Sequence, residues 1–111
     1  GLSTSELDVH IKKSTLEAVK PLIATTLTLD LEDVDWTIEC TNAATQTITV
    51  PPNTTAFPIG TKIQFIQNGV GTVTLAAGAG VTINGDLSTS AQYKRGSITK
   101  TATNTWLAIM G

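Results

Sequence analysis

The sequence is poor in the residues that bind metals and perform covalent catalysis. Among its 111 residues it has one cysteine, Cys40, and one histidine, His10. One cysteine excludes an internal disulfide, and one cysteine with one histidine is too few for the four ligands of a structural zinc site. A reactive thiol also needs a basic environment, and no basic residue neighbours Cys40 in the sequence. We therefore interpret Cys40 as a small buried hydrophobic residue at the end of a strand.

Nothing else in the sequence indicates a catalytic site. His10 falls in a predicted helix, with Glu6 one turn before it and Ser14 one turn after it. A serine, a histidine and a carboxylate on one exposed helix face lack an oxyanion hole and a pocket. The Gly-x-Gly segments at 69–71 and 78–80 do not open a predicted helix, as a dinucleotide-binding loop requires. The sequence predicts a non-enzymatic protein with no cofactor and no metal site.

Charged residues are also scarce, and long apolar runs are missing. Charged residues make up 14% of the chain, aromatic residues make up 5%, and the formal net charge is −2. The only adjacent basic pairs are Lys12-Lys13 and Lys94-Arg95, which do not form the basic stripe of a nucleic-acid-binding protein. No run approaches the roughly 20 apolar residues of a membrane span. We expect neither a nucleic-acid partner nor insertion into a membrane.

Threonine, glycine and alternating apolar residues dominate the rest of the chain. Alternation of the type Val-Thr-Leu is typical of strands with one buried face, and Asn-Gly is typical of tight hairpin turns. Trp36 lies on the apolar face of the first such segment. The short loops favour a small antiparallel β-sandwich or barrel of about seven strands, and no repeat is long enough to indicate a solenoid. The predicted strands fall within residues 34–40, 46–50, 63–66, 73–75, 81–83, 93–101 and 105–110.

An N-terminal α-helix is predicted over residues 3–20, where Ser3 and Glu6 form a capping box and Pro21 ends the helix. Apolar residues on two sides of this helix indicate contacts on two sides, as in a helix packed against copies of itself. An ordinary amphipathic helix lying on its own domain is the alternative. We expect residues 1–33 to form an attachment or trimerisation segment and residues 34–111 to form the β-domain. The candidate interface residues are Leu7, Ile11, Leu16, Val19 and Ile23.

Residues 22–35 join these two parts and contain an acidic group. The Thr-Leu-Thr-Leu alternation in this segment fits either a strand or an extended linker. Clustered carboxylates bind hard cations such as calcium, but this segment lacks the spacing and turn glycine of an EF-hand loop. A solvated turn or a helix N-terminus explains the same residues, so no metal is assigned. The acidic residues are Asp30, Glu32, Asp33 and Asp35.

The last 70 or so residues contain a Phe-Pro-x-Gly-Thr motif at 57–61 and a Gly-x-Gly-hydrophobic-Thr-hydrophobic motif at 78–83. A basic strand with Lys94 and Arg95 and a final Asn-x-Trp strand follow. With these motifs the segment resembles the C-terminal β-domain of many tailed-bacteriophage virion proteins. The resemblance implies that Trp106 packs in the domain, and it implies a fibre or other virion surface protein. The residues that carry it are Phe57, Pro58, Gly60, Thr61, Gly78, Gly80, Val81, Ile83, Lys94, Arg95, Asn104 and Trp106.

This resemblance, with the low charge and the predicted helix, favours a non-enzymatic virion structural protein. We expect a homotrimeric tail or head fibre that binds other virion proteins and contacts a host-surface glycan or protein. A capsid decoration protein that cements the head is one alternative, and a carbohydrate-binding module is another. Tyr93, Lys94 and Arg95 are the candidate ligand contacts, although a charged edge strand explains them equally well.

Overall fold

The structure is a computed structural model that describes residues 18–34 and 36–110. Within these residues it contains nine β-strands and one short 3₁₀ helix, Leu31–Asp33. The strands are β1 (Ala18–Leu22), β2 (Thr26–Thr28), β3 (Trp36–Cys40), β4 (Gln46–Val50), β5 (Lys62–Gln67), β6 (Val73–Ala77), β7 (Thr82–Gly85), β8 (Arg95–Ala102) and β9 (Thr105–Met110).

The first six strands alternate between two sheets. β1, β3 and β5 are neighbours in one sheet, called sheet A here, and β2, β4 and β6 are neighbours in the other, called sheet B. Every neighbouring pair among these six strands is parallel. The chain therefore winds through three stacked coils, each with one strand in either sheet, and the arrangement is like that of a β-solenoid.

Coils two and three are equal in length. Thr37 lies opposite Gln64 in sheet A, and Thr47 lies opposite Thr74 in sheet B, so both pairs are separated by 27 residues. The corners between the sheets stack on one another as well, because the Gly71 N–H donates to the Asn42 carbonyl at 3.1 Å. Each coil consequently continues the hydrogen-bond ladder of the previous one around the corner.

The C-terminal strands extend sheet A instead of adding a fourth coil. β8 pairs with β5 and with β9 in antiparallel directions, and β7 pairs with β9 in parallel. The β8–β9 connection turns at Asn104, whose φ of 54° is in the left-handed region that asparagine tolerates. Sheet A therefore has six strands in the order β1-β3-β5-β8-β9-β7, against three in sheet B.

The two sheets enclose one hydrophobic core. Alternation of buried and half-buried residues in β4, β5, β6 and β8 places every second side chain inside. Trp106 and Phe65 are the largest fully buried side chains. The core residues are Leu29, Ile38, Cys40, Ile48, Val50, Phe57, Ile63, Phe65, Val73, Leu75, Ile98, Trp106 and Ala108.

The mainly β character predicted from the sequence is confirmed, and the seven predicted strands correspond to β3–β9. The prediction of an antiparallel arrangement is wrong for the coils, where all four pairings are parallel. Asn68-Gly69 does not close a hairpin, because it joins strands of different sheets. Neither residue has a positive φ. The prediction that the chain is not a solenoid is also wrong, because the parallel strands form solenoid-like coils. The backbone positions repeat from coil to coil, but the amino-acid sequence repeats only weakly.

The predicted N-terminal helix lies mostly outside the described residues. Its last three positions, 18–20, belong to β1, which pairs with β3. Pro21 is inside this strand and pairs with Glu39. Proline fits this position because β1 is the edge strand of sheet A among the described strands, and an edge strand has one side without a ladder hydrogen bond to lose. The alternating Thr-Leu-Thr segment is a strand, β2, and Leu29 after it is buried in the core.

Candidate interaction surface

The outer face of sheet A carries an open groove with a volume of about 310 Å³. It runs across β5, β8 and β9, whose outward side chains form most of its lining. The groove is lined by Lys62, Gln64, Arg95, Gly96, Ser97, Ile109 and Met110. Its lining combines polar and apolar groups, which suits binding of another molecule.

Strand register brings these residues together from distant parts of the sequence. Gln64 lies opposite Ser97, and Ser97 lies opposite Ile109, so one outward row crosses three strands. Ile109 is 61% exposed. Gly96 pairs with Phe65, and a Cβ at Gly96 would lie 2.2 Å from the Met110 sulfur. Glycine at this position therefore leaves space for Met110 beside the groove.

The two charged groups of the groove are both cationic. Lys62 lies opposite Thr99, and Ile66 lies opposite Arg95, so the cations are four residues apart along neighbouring strands. This offset corresponds to roughly 13 Å between their backbones at about 3.3 Å per residue. The lining residues include no carboxylate. The groove therefore favours a polar or anionic group over a basic one.

The predicted ligand contacts lie at one end of this groove. Of Tyr93, Lys94 and Arg95, Arg95 is the one that lines it. The Gln67 N–H donates to the Lys94 carbonyl at 2.9 Å, which fixes the segment against the end of β5. Tyr93 has a φ of 67° and is 72% exposed. An exposed tyrosine held in a left-handed turn is suited to contact a ligand, because its backbone is fixed while its ring stays accessible.

The predicted interface residues are only partly described. Leu7, Ile11 and Leu16 lie outside the described residues. Val19 in β1 is 49% exposed, and Ile23 directly after β1 is 73% exposed. These two apolar side chains lie in the first coil, at one end of the coil stack, and belong to a strand and the corner after it instead of one helix face.

The acidic group has structural partners. The Lys20 ammonium forms an ion pair with the buried carboxylate of Asp33. The other Asp33 oxygen accepts from the Asp30 N–H at 2.8 Å, and Asp30 caps the 3₁₀ helix. Asp35 lies outside the described residues. Residues 18–34 and 36–110 hold no group of three or more potential metal ligands.

Cys40 is fully buried, in agreement with the interpretation as a small hydrophobic residue. Burial raises the pKa of its thiol to about 11, because the thiolate would lose its hydration in the core. This thiol is un-ionised at neutral pH and is a poor nucleophile. His10 lies outside the described residues. Trp36 is half-buried, whereas Trp106 is almost fully buried, as the resemblance implied.

Six of the seven groove residues were not identified as contacts from the sequence: Lys62, Gln64, Gly96, Ser97, Ile109 and Met110. Alternation along each strand indicates that Lys62, Gln64, Ser97 and Ile109 point away from the core. It does not indicate which strands are neighbours, and β5 and β8 are separated by some thirty residues that include two other strands. The sequence signal for this surface is therefore limited to outward positions on single strands.

The part of the chain that the structure describes contains no helix long and apolar enough to cross a membrane. Comparison of the sequence and the structure with protein-family models, curated proteins and solved structures found no match.

Proposed function

We propose that this protein is a non-enzymatic structural protein of a tailed-bacteriophage virion, a homotrimeric fibre-type appendage of the tail or head that contacts the host surface. Trimerisation would use the apolar end of the coil stack, and host contact would use the groove on sheet A. In this proposal the chain is located in the virion, with other virion proteins as its attachment partners.

The observation that carries the proposal is that the separated parts of the phage-domain motif meet in space. Phe57 of the Phe-Pro-x-Gly-Thr motif packs against Trp106 of the final Asn-x-Trp strand, with ring centroids 5.4 Å apart. Gly60 of the first motif has a φ of 92°, and Asn104 of the last motif turns the β8–β9 hairpin. The first and last parts of the motif thus contact each other in the folded chain, as expected if the resemblance reflects a shared domain.

The exposed apolar residues Val19 and Ile23 support an assembly. Oligomers bury apolar surface that a monomer would leave in water, at about 25 cal/mol per Å². Among residues 18–34 and 36–110, the first coil is also the end of the stack, and terminal repeats of stacked proteins need a cover. A second copy of the chain or another virion protein would supply that cover. A capsid decoration protein would use the same end against the head shell, and this remains the second candidate.

The native mass of the full chain, measured by light scattering behind a sizing column, tests the proposal. We expect a trimer for the natural sequence and dissociation to a monomer for the double variant Val19→Glu/Ile23→Glu. The matched control is Ile59→Glu, since Ile59 is 67% exposed but lies in the loop before β5. This control should stay trimeric. A monomeric natural chain would contradict the homotrimer, and a trimer that both variants retain would place its interface elsewhere.

A further inference from the structure

The groove on sheet A lies on strands that have neighbours on both sides. The order of the sheet is β1-β3-β5-β8-β9-β7, so β5, β8 and β9 are all interior strands. A charged edge strand is the alternative explanation of Lys94 and Arg95, because charge at a sheet edge prevents unwanted strand pairing. Arg95 begins β8, which is not an edge strand. Edge protection therefore does not explain its charge, and a ligand in the groove does.

Strand register places neutral hydrogen-bonding groups between the two cations of the groove. An amide and a hydroxyl group occupy the middle position, and one cation lies on either side of them. Along the outward positions of β5 and β8, the order of the opposed pairs is Lys62–Thr99, then Gln64–Ser97, then Ile66–Arg95. The groove thus favours a ligand with two separated negative charges and neutral polar groups between them.

Two carboxylates of neighbouring segments already accept hydrogen bonds. Glu39 of β3 accepts from the Asn68 side-chain amide at 2.7 Å, and Asp86 after β7 accepts from the Met110 N–H at 3.2 Å. Neither residue lines the groove. The Arg95 guanidinium has five N–H donors, so it is able to bind an anion while it keeps another contact. The lining therefore stays complementary to negative charge.

An acidic peptide and a nucleic acid fit this arrangement less well than a sugar polymer. An extended peptide binds to a sheet through an exposed edge, and the backbone groups of interior strands are already used in the ladder. A nucleic acid has a phosphate on every nucleotide and is bound by a continuous basic stripe. The middle of the groove, at Gln64 and Ser97, has no cation.

Apolar side chains next to the cations suit the rings of a sugar polymer. Ile109 is 61% exposed, and Met110 lies beside it in the lining. Tyr93, 72% exposed, adds an aromatic ring at the Arg95 end. Such side chains pack against the C–H faces of sugar rings while the sugar hydroxyls form hydrogen bonds. The groove volume of about 310 Å³ is at the lower end of small-ligand sites and suits a short segment of a polymer.

We infer that the groove binds an acidic polysaccharide in which uronic acids alternate with neutral sugars. Lys62 and Arg95 pair with two carboxylates of the polymer, and the neutral sugar between them forms hydrogen bonds with Gln64 and Ser97. This inference rests on the proposed function, in which the groove contacts the host surface, and it names the chemical class of the ligand. Three grooves in a homotrimer would bind one polymer with added avidity.

Calorimetric titration of the full chain with hyaluronan oligosaccharides, which alternate glucuronic acid with a neutral sugar, tests the inference. We expect binding that weakens as salt is added, and none to carboxyl-reduced hyaluronan. Lys62→Gln and Arg95→Gln should each weaken binding about fivefold, as expected for an ion pair open to solvent. Lys62→Arg should keep the affinity. The matched control is Lys94→Gln, since Lys94 is exposed beside Arg95 but does not line the groove.

A second pair of variants adds a carboxylate at exposed apolar positions. Ile109→Glu places it in the groove and should weaken binding about tenfold, because like charges repel across a binding site. Val70→Glu makes the same change of net charge in the corner after β5, where Val70 is 64% exposed, and should leave the affinity unchanged. Circular dichroism of each variant checks that the strands are intact.

Three results would overturn the inference. The first is a natural chain that does not bind hyaluronan, and the second is an equal loss of affinity in Lys94→Gln and Arg95→Gln. The third is tighter binding of polyglutamate or polyphosphate, which would assign the groove to an acidic peptide or to a phosphate polymer. The native mass separates these results from a failure of the proposed function. A trimer that does not bind contradicts the ligand alone, whereas a monomer that binds contradicts the homotrimer and keeps the ligand.

Discussion

The ring of Phe57 stands edge-on to the indole of Trp106, with centroids 5.4 Å apart and ring planes at 82°. Both side chains are buried, at 3% and 1% exposure. Phe57 comes from the loop before β5, and Trp106 is in the last strand of the chain. This contact therefore ties the long loop after the second coil to the β8–β9 hairpin, and it joins the two ends of the motif that resembles the phage domain.

Truncation of this pair should be strongly destabilising. We expect Trp106→Ala and Phe57→Ala each to lower the free energy of unfolding by about 3–5 kcal/mol, from lost burial and a residual cavity. Their double variant should show a coupling of about 0.5–1.5 kcal/mol, which is typical of edge-to-face aromatic pairs. Urea unfolding of the four proteins measures both quantities. Strict additivity would mean that the two rings stabilise the fold independently.

Close packing of the coil corners makes Gly71 hard to replace. A Cβ at Gly71 would lie 1.9 Å from the Ala44 carbonyl oxygen, so Gly71→Ala requires the stacked corners to separate. Gly60 gives the contrast, because it has a φ of 92° but open space around it. Gly60→Ala should cost about 1–2 kcal/mol of stability, the ordinary cost of a left-handed conformation. Gly71→Ala should cost more in the same urea titration, and an equal or smaller cost would contradict corner packing.

Lys100 is a buried cation that forms its hydrogen bonds with neutral groups. Its ammonium donates to the Asn53 Oδ1 at 2.7 Å and to the Phe57 carbonyl at 2.6 Å, and its side chain is 4% exposed. Lys100→Met keeps most of the stem volume but leaves both oxygens without this donor, which should destabilise the fold by about 1–3 kcal/mol. Thermal unfolding of the natural protein, of Lys100→Met and of the exposed control Lys62→Met measures how much stability each substitution removes.

The control should change stability by less than about 0.5 kcal/mol, as surface substitutions usually do. A Lys100→Met protein as stable as the natural one would show that water replaces the ammonium, or that the loop moves to satisfy the two oxygens.

The strands were predictable because alternation is a local property of the sequence. Ile48, Val50, Val73 and Leu75 reveal their buried face without knowledge of their neighbours. Which strands are neighbours depends on whether each connection is a hairpin within one sheet or a corner between two sheets. In the sequence, Gly69 is compatible with either connection. A Cβ at Gly69 would lie 2.3 Å from the Asn42 carbonyl oxygen, so glycine is needed there for close approach and not for a positive φ.

The surfaces were less predictable than the strands. The sequence predicts Arg95 as a candidate ligand contact, whereas Lys62 and Ile109 enter the groove only through the pairing of β5, β8 and β9. The sequence predicts Thr47, Thr49 and Thr74 as strand residues and leaves Thr26 and Thr28 in either a strand or an extended linker. The alignment of these threonines into rows requires the parallel register. β1 was missed because Pro21 marks a helix end in the sequence, and only its position at a sheet edge explains a proline within a strand.

The buried thiol of Cys40 makes stability depend on pH in the alkaline range. Its pKa is about 11 in the folded protein, against 9.0 for an unperturbed thiol. The pKa of the thiol is higher in the folded protein than in the unfolded one. The contribution of the un-ionised thiol to the free energy of unfolding is therefore complete below pH 9, where the thiol is protonated in both states. As pH rises from about 9 to 11 the unfolded thiol ionises first, so the free energy of unfolding falls by up to about 3 kcal/mol.

Urea titrations at pH 8 and pH 10.5 on the natural chain and on Cys40→Ala isolate this effect, because all other groups titrate alike in the two proteins. The natural chain should lose more stability than Cys40→Ala between the two pH values. At pH 8 the folded thiol should also react with iodoacetamide far more slowly than the unfolded thiol, since both accessibility and the thiolate fraction are reduced. Equal pH dependence in both proteins would show that water reaches Cys40 in the folded state.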